Sequence, residues 1–168
     1  MDQGSLFLPE NDKNVINAKL DFDPIDKVLW GNLPYAVNFN EGPRMNPDGH
    51  LTDYLTDEAV KVIEKNKNRP FFLYLAYWAV HSPLQAKKED YEKLSFIKNH
   101  EERVLASMVM TVDRGVGKIR DVLKENNMDD NTIIIFTSDN GAPGYIGLPD
   151  LNKPYRGWKL THFEGGVH

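Results

Sequence analysis

Hydrophobic positions along the chain fall into two kinds of pattern. Phe71-Phe72-Leu73-Tyr74-Leu75-Ala76-Tyr77 and Thr132-Ile133-Ile134-Ile135-Phe136-Thr137 are continuous apolar or β-branched runs without alternation. Such runs predict strands covered on both faces, at 71–77 and 132–138. Two other stretches repeat at helical spacing. Leu51, Tyr54, Leu55, Ala59, Val62 and Ile63 mark an amphipathic helix over about 52–66, with acidic residues early and lysines late, as the helix dipole prefers. Leu105, Met108, Val109, Val112, Val116, Ile119 and Leu123 mark a longer one over 101–127. Each helix precedes one of the strands. The order predicts an α/β fold, a mostly parallel sheet flanked by helices, with the carboxyl ends of both strands at one edge.

The remainder reads as loops, with brief strands among residues 1–49. Residues 1–49 are rich in Asn, Asp, Pro and Gly, with apolar islands at Val15-Ile16, Val28-Leu29-Trp30 and Tyr35-Ala36-Val37. The aromatics Phe7, Phe22, Trp30, Tyr35 and Phe39 are expected to anchor these loops, since no basic residues interleave with them to make a stacking platform. Met108 and Met110 are expected in the core, and Asp113 and Arg114 on or near the solvated face. Asp129-Asp130 falls in the turn before 132–138, at the far end from Asp139, and reads as a solvated turn.

Composition narrows the function. The chain has 168 residues, 40% hydrophobic and 27% charged, which suits one globular domain. Its net charge of −5 and dispersed lysines and arginines argue against a nucleic-acid partner, and no apolar stretch reaches membrane-spanning length. With no cysteine, thiolate metal sites are excluded and the redox compartment is not legible.

Candidate chemistry sits where the apolar runs end. Asp139-Asn140-Gly141 closes the second run, and ligands of parallel α/β sheets bind beyond the carboxyl ends of strands. Asp and Asn together offer two hard oxygen ligands, suited to calcium or magnesium more than zinc. The same tripeptide is equally a turn signal. His81 follows the first run at the corresponding address, although a lone histidine is more often structural. Beyond Asn140 a glycine- and proline-rich loop returns with Arg156 and Lys159.

These segments taken together resemble a family. Arg69-Pro-Phe-Phe-Leu-Tyr-Leu with His81-Ser-Pro-Leu-Gln, then Met108 to Gly117, then Asn131-Thr132 running to Ser138-Asp-Asn-Gly141, then Arg156-Gly-Trp-Lys159 with Glu164-Gly-Gly, resemble the second half of the catalytic domain of type I, formylglycine-dependent sulfatases, in the alkaline-phosphatase-like superfamily. The resemblance covers about 50–168, with 1–49 similar to the variable stretch before it. It implies a sulfuric ester hydrolase acting on sugar or aryl sulfates. Asp139 and Asn140 would be calcium ligands, Lys159 the lysine holding the sulfate, and His81 the histidine beside the leaving-group oxygen. By family resemblance the compartment would be periplasmic, extracellular or lysosomal.

The departures carry equal weight. The Cys/Ser-x-Pro-x-Arg motif that is oxidised to formylglycine does not occur, and the Glu-Gly-Gly-x-Arg ending stands as Glu164-Gly-Gly-Val-His168. The expectation is a partial domain, lacking the nucleophile half and the C-terminal subdomain, inactive alone, and a partner for the missing N-terminal half. Two ligands cannot fill calcium's six to eight positions, so weak or absent calcium binding is expected, with Lys159 compensating Asp139. Alternative readings are a phosphonate or phosphate ester hydrolase of the same superfamily and a non-catalytic metal-binding or interaction module.

Overall fold

The computed structural model describes residues 8–20, 26–27, 36–47 and 49–167. Two helices organise it: α1 over Leu51–Asn66 and α3 over His100–Glu125, within one or two residues of the spans read from periodicity. Asn99 starts α3 by accepting from the Glu102 backbone N–H at 2.8 Å, satisfying one of the donors a helix start leaves open. The helices pack on each other, with Gly115 of α3 against Thr56 of α1. A Cβ there would lie 2.6 Å from Thr56 Oγ1 and 2.7 Å from the Tyr77 hydroxyl, which hydrogen bond to each other at 2.7 Å. Burial pushes the Tyr77 hydroxyl above its ordinary pKa, partly opposed by that hydrogen bond.

Sheet structure differs from expectation. Strands β1 (Val15–Ala18) and β4 (Leu84–Lys87) pair antiparallel, as do β2 (Val37–Asn38) and β3 (Arg44–Met45). Segments 71–77 and 132–138, the two strands expected from the apolar runs, have no ladder partner among the described residues. Along 71–77 every second side chain turns inward. Phe71 and Leu73 pack against Ile63, Val122 and Leu123, while Phe72 is 93% exposed. In the second segment Ile133 is 89% exposed, and Ile135 and Phe136 also face outward. A strand is defined by its neighbours, since its backbone groups need a ladder; an apolar run announces a strand but does not supply the partner.

The short helix α2 (Lys88–Lys93) follows β4 directly and lies on α3. The main core joins Ala18, Leu20, Leu84, Ala86, Val104, Leu105, Met108 and Ile146. Pairing of β1 with β4 was not signalled, because Leu84-Gln-Ala-Lys87 lacks an apolar run. Gln85 explains its burial: its amide accepts from Leu8 N–H at 2.9 Å and donates to Leu8 O and Asn17 Oδ1 at 3.0 Å each, so no polar atom is stranded. Arg114, expected on or near the solvated face, keeps 32% of its side chain exposed while it donates to the fully buried Asp90 at 2.7 Å. Asp129-Asp130 forms an exposed 3₁₀ turn over Asp129–Asn131, as read. Of the loop aromatics only Phe39 lies among the described residues, and it is exposed rather than anchoring. The island Val28-Leu29-Trp30 lies outside them.

Candidate functional site

His81 stands between segment 71–77 and β4. Its Nδ1 lies 2.6 Å from the Ser82 carbonyl oxygen, which can only accept, so Nδ1 carries the proton and Nε2 presents a lone pair. That lone pair faces Lys159 Nζ at 3.0 Å. A lysine ammonium has donors and no acceptor, so the polarity of the contact is fixed: Lys159 donates to the neutral imidazole. Trp78, 46% exposed, lies against the same ring with centroids 5.5 Å apart. The two candidate residues, 78 positions apart in sequence, therefore meet.

Lys159 reaches this place through a loop built on close backbone contacts. Its own N–H donates to Ala142 O at 3.1 Å, which ties it to the turn after Asp139-Asn140. Gly141 N–H donates to Gly166 O at 3.3 Å, and Gly165 N–H to Arg156 O at 2.8 Å. The glycines of the Glu164-Gly-Gly motif are explained here. A Cβ on Gly166 would lie 2.3 Å from Thr161 O, and one on Gly165 2.6 Å from Gly157 O. Gly157 itself has φ +89°, a left-handed conformation that favours glycine. The motif packs the chain end against the Lys159 loop, a role the spacing alone did not disclose.

Asp139 and Asn140 sit in the turn, and Ser138 Oγ donates to Asn140 O at 2.7 Å. The Asp139 side chain is exposed and makes no ion pair with Lys159, whose ammonium turns to His81 instead. Compensation of Asp139 by Lys159, as expected from sequence, is not what these residues do. Among the described residues no group of three or more histidine, cysteine or carboxylate side chains is placed to hold a metal ion. The donors present, a free carboxylate and a side-chain amide, are hard oxygens that fit calcium's preference and fill part of its shell.

The family model described as Sulfatase matches residues 7–166. An uncharacterised sulfatase, YdeN of Escherichia coli K12, is 41% identical over 133 residues, 77% of this chain and 24% of that protein. The human N-acetylgalactosamine-6-sulfatase is 35% identical over 164 residues, 87% of this chain and 29% of that protein. The crystal structure titled Ps i-CgsB in complex with k-i-k-neocarrahexaose superposes with TM-score 0.75 at 38% identity, covering 91% of this chain and 35% of that one. The chain thus spans less than a third of the length of the first two proteins and about a third of the crystallised one. Its fold is the α/β arrangement of the alkaline-phosphatase-like type that such structures share.

Proposed function

The chain belongs to the sulfatase family, and we propose that residues 50–168 supply the second half of a catalytic centre that hydrolyses sulfate esters. The observation that carries this reading is the contact of Lys159 Nζ with His81 Nε2 at 3.0 Å, beside the turn bearing Asp139 and Asn140. A substrate sulfate entering between the two side chains would take the Lys159 ammonium as counter-charge, freeing Nε2 to face the ester oxygen. Nδ1 remains fixed on the Ser82 carbonyl, so the ring keeps its aim; once Nε2 takes up a proton from solvent, giving the imidazolium, it can pass that proton to the oxygen of the departing alcohol. Charge neutralisation by Lys159 matters most as negative charge grows on the leaving oxygen. Calcium, which Asp139 and Asn140 would help to hold, supplies further charge stabilisation when bound.

The nucleophile is not among these residues, and the same reading makes the isolated chain inactive. It also assigns the backbone edges of 71–77 and 132–138, unpaired among the described residues, to strands of the remaining catalytic domain, which would complete a mostly parallel sheet and the calcium shell. A sulfated sugar is the preferred substrate class: N-acetylgalactosamine-6-sulfatase and the neocarrahexaose complex are named for sugars, and the exposed Trp78 indole beside His81 offers a face on which a sugar ring can stack.

The test is sulfate release from a sulfated galactoside by a polypeptide joining these residues to a formylglycine-bearing half. His81→Ala is expected to lower kcat about 10²–10⁴-fold and Lys159→Ala about 10²–10³-fold. Unchanged kcat in both variants would remove the two residues from the chemistry.

A further inference from the structure

Ala142 lies three residues after Asp139, and one side chain grips both of its backbone groups. Ala142 N–H donates to Asn152 Oδ1 at 2.8 Å, and Asn152 Nδ2 donates to Ala142 O at 2.8 Å. The same carbonyl accepts from Lys159 N–H at 3.1 Å. The amide orientation is set by its partners, because a flipped group would oppose N–H to N–H and oxygen to oxygen. Asn152 is half-buried, and its Oδ1 would stand 3.1 Å from a Cβ on Gly141, so it lies against the turn with little room to turn away.

We propose that Asn152 is a positioning residue: by holding both backbone groups of Ala142 it steadies the turn that the Lys159 N–H also binds, and so fixes the oxygen donors relative to the ammonium at His81. This rests on the roles proposed above for those residues. The chemistry of the grip is specific to asparagine. Aspartate keeps the acceptor for Ala142 N–H but sets an oxygen against Ala142 O, weakening the side that Lys159 shares. Alanine removes both contacts.

The test uses the 168-residue chain, with amide hydrogen exchange and ¹⁵N spectra of the His81 ring. Asn152→Ala should speed exchange at Ala142 and Lys159 by on the order of tenfold, the scale of one lost hydrogen bond, and shift the Nε2 resonance, while α3 amides such as Val112 keep their protection. Asn152→Asp should keep Ala142 protected and still loosen Lys159. Unchanged Lys159 exchange and an unchanged Nε2 signal in both variants would overturn the proposal. So would a uniform loss of protection that includes α3, since that marks a purely structural residue. Failure of the catalytic reading is separate: it would be seen as unaltered turnover in Lys159→Ala, whatever exchange reports here.

Discussion

Arg114→Ala is the substitution that most directly probes how this domain is held together. Asp90 is 0% exposed and accepts from Arg114 Nη1 at 2.7 Å, Thr111 Oγ1 at 2.9 Å and Lys93 Nζ at 3.2 Å. Burial alone would raise its pKa, but the hydrogen bonds from Arg114, Thr111 and Lys93 outweigh it and hold the carboxyl below its ordinary value. Arg114 Nη2 also faces Asp53 at 3.5 Å, joining α1 to the same network. Removing one partner of a buried pair costs about 3–5 kcal/mol. The Arg114 side chain is 32% exposed and Asp90 keeps two donors, so the expected loss is about 2–3 kcal/mol. Lys93, 58% exposed, should cost less than about 1 kcal/mol when replaced by Ala. With a urea m-value of about 2 kcal/mol/M, Arg114→Ala lowers the midpoint by about 1–1.5 M and Lys93→Ala by under about 0.5 M. The sign with pH follows. A depressed carboxyl pKa contributes stability above the ordinary value of 3.8, lost as pH falls through the lower folded value, so the gap between wild type and Arg114→Ala should close under strong acid. Equal midpoints for Arg114→Ala and Lys93→Ala would refute the reasoning.

Other outcomes follow from the same contacts. Gly166→Ala places a Cβ 2.3 Å from a backbone oxygen that cannot step aside, and should destabilise the chain by about 1–3 kcal/mol in a thermal melt. Gly115→Ala gains helix propensity but displaces the Tyr77–Thr56 pair, and a net loss of about 1 kcal/mol or more is expected in urea. Burial lowers the pKa of His50, against the opposing pull of Asp53, and its Nδ1 has no hydrogen-bond partner. The unfolded chain therefore takes up the proton first, and stability should fall as pH drops below 6.5, an effect that His50→Gln should reduce. Calcium titrated into the isolated chain should bind weakly; submicromolar affinity abolished by Asp139→Ala would show a complete site in this half and defeat its reading as part of one.

Helices were legible because their signal is local: the 3.6-residue repeats of α1 and α3 lie within the segments they define. The apolar runs at 71–77 and 132–138 were legible as apolar, but strand pairing depends on residues elsewhere, and none of those described serves. Contacts that cross the chain were invisible to spacing. Gln85 on Leu8, Arg114 on Asp90 and Asn152 on Ala142 are each polar side chains satisfied by a distant partner, and only the fold names it. The roles of His81 and Lys159 came from family resemblance rather than periodicity. The resemblance did not foresee that Lys159 turns to the imidazole instead of to Asp139.

Sulfate release from a 4-nitrophenyl or galactoside sulfate, measured for the 168-residue chain alone and again after it is joined to a formylglycine-bearing half, bears most directly on the claim that these residues are one side of a sulfatase centre. The account predicts no turnover alone, and turnover in the joined protein that His81→Ala and Lys159→Ala each lower by about 10²-fold or more. Turnover by the chain alone, lost on His81→Ala, would contradict it, since the site would then hold its own nucleophile.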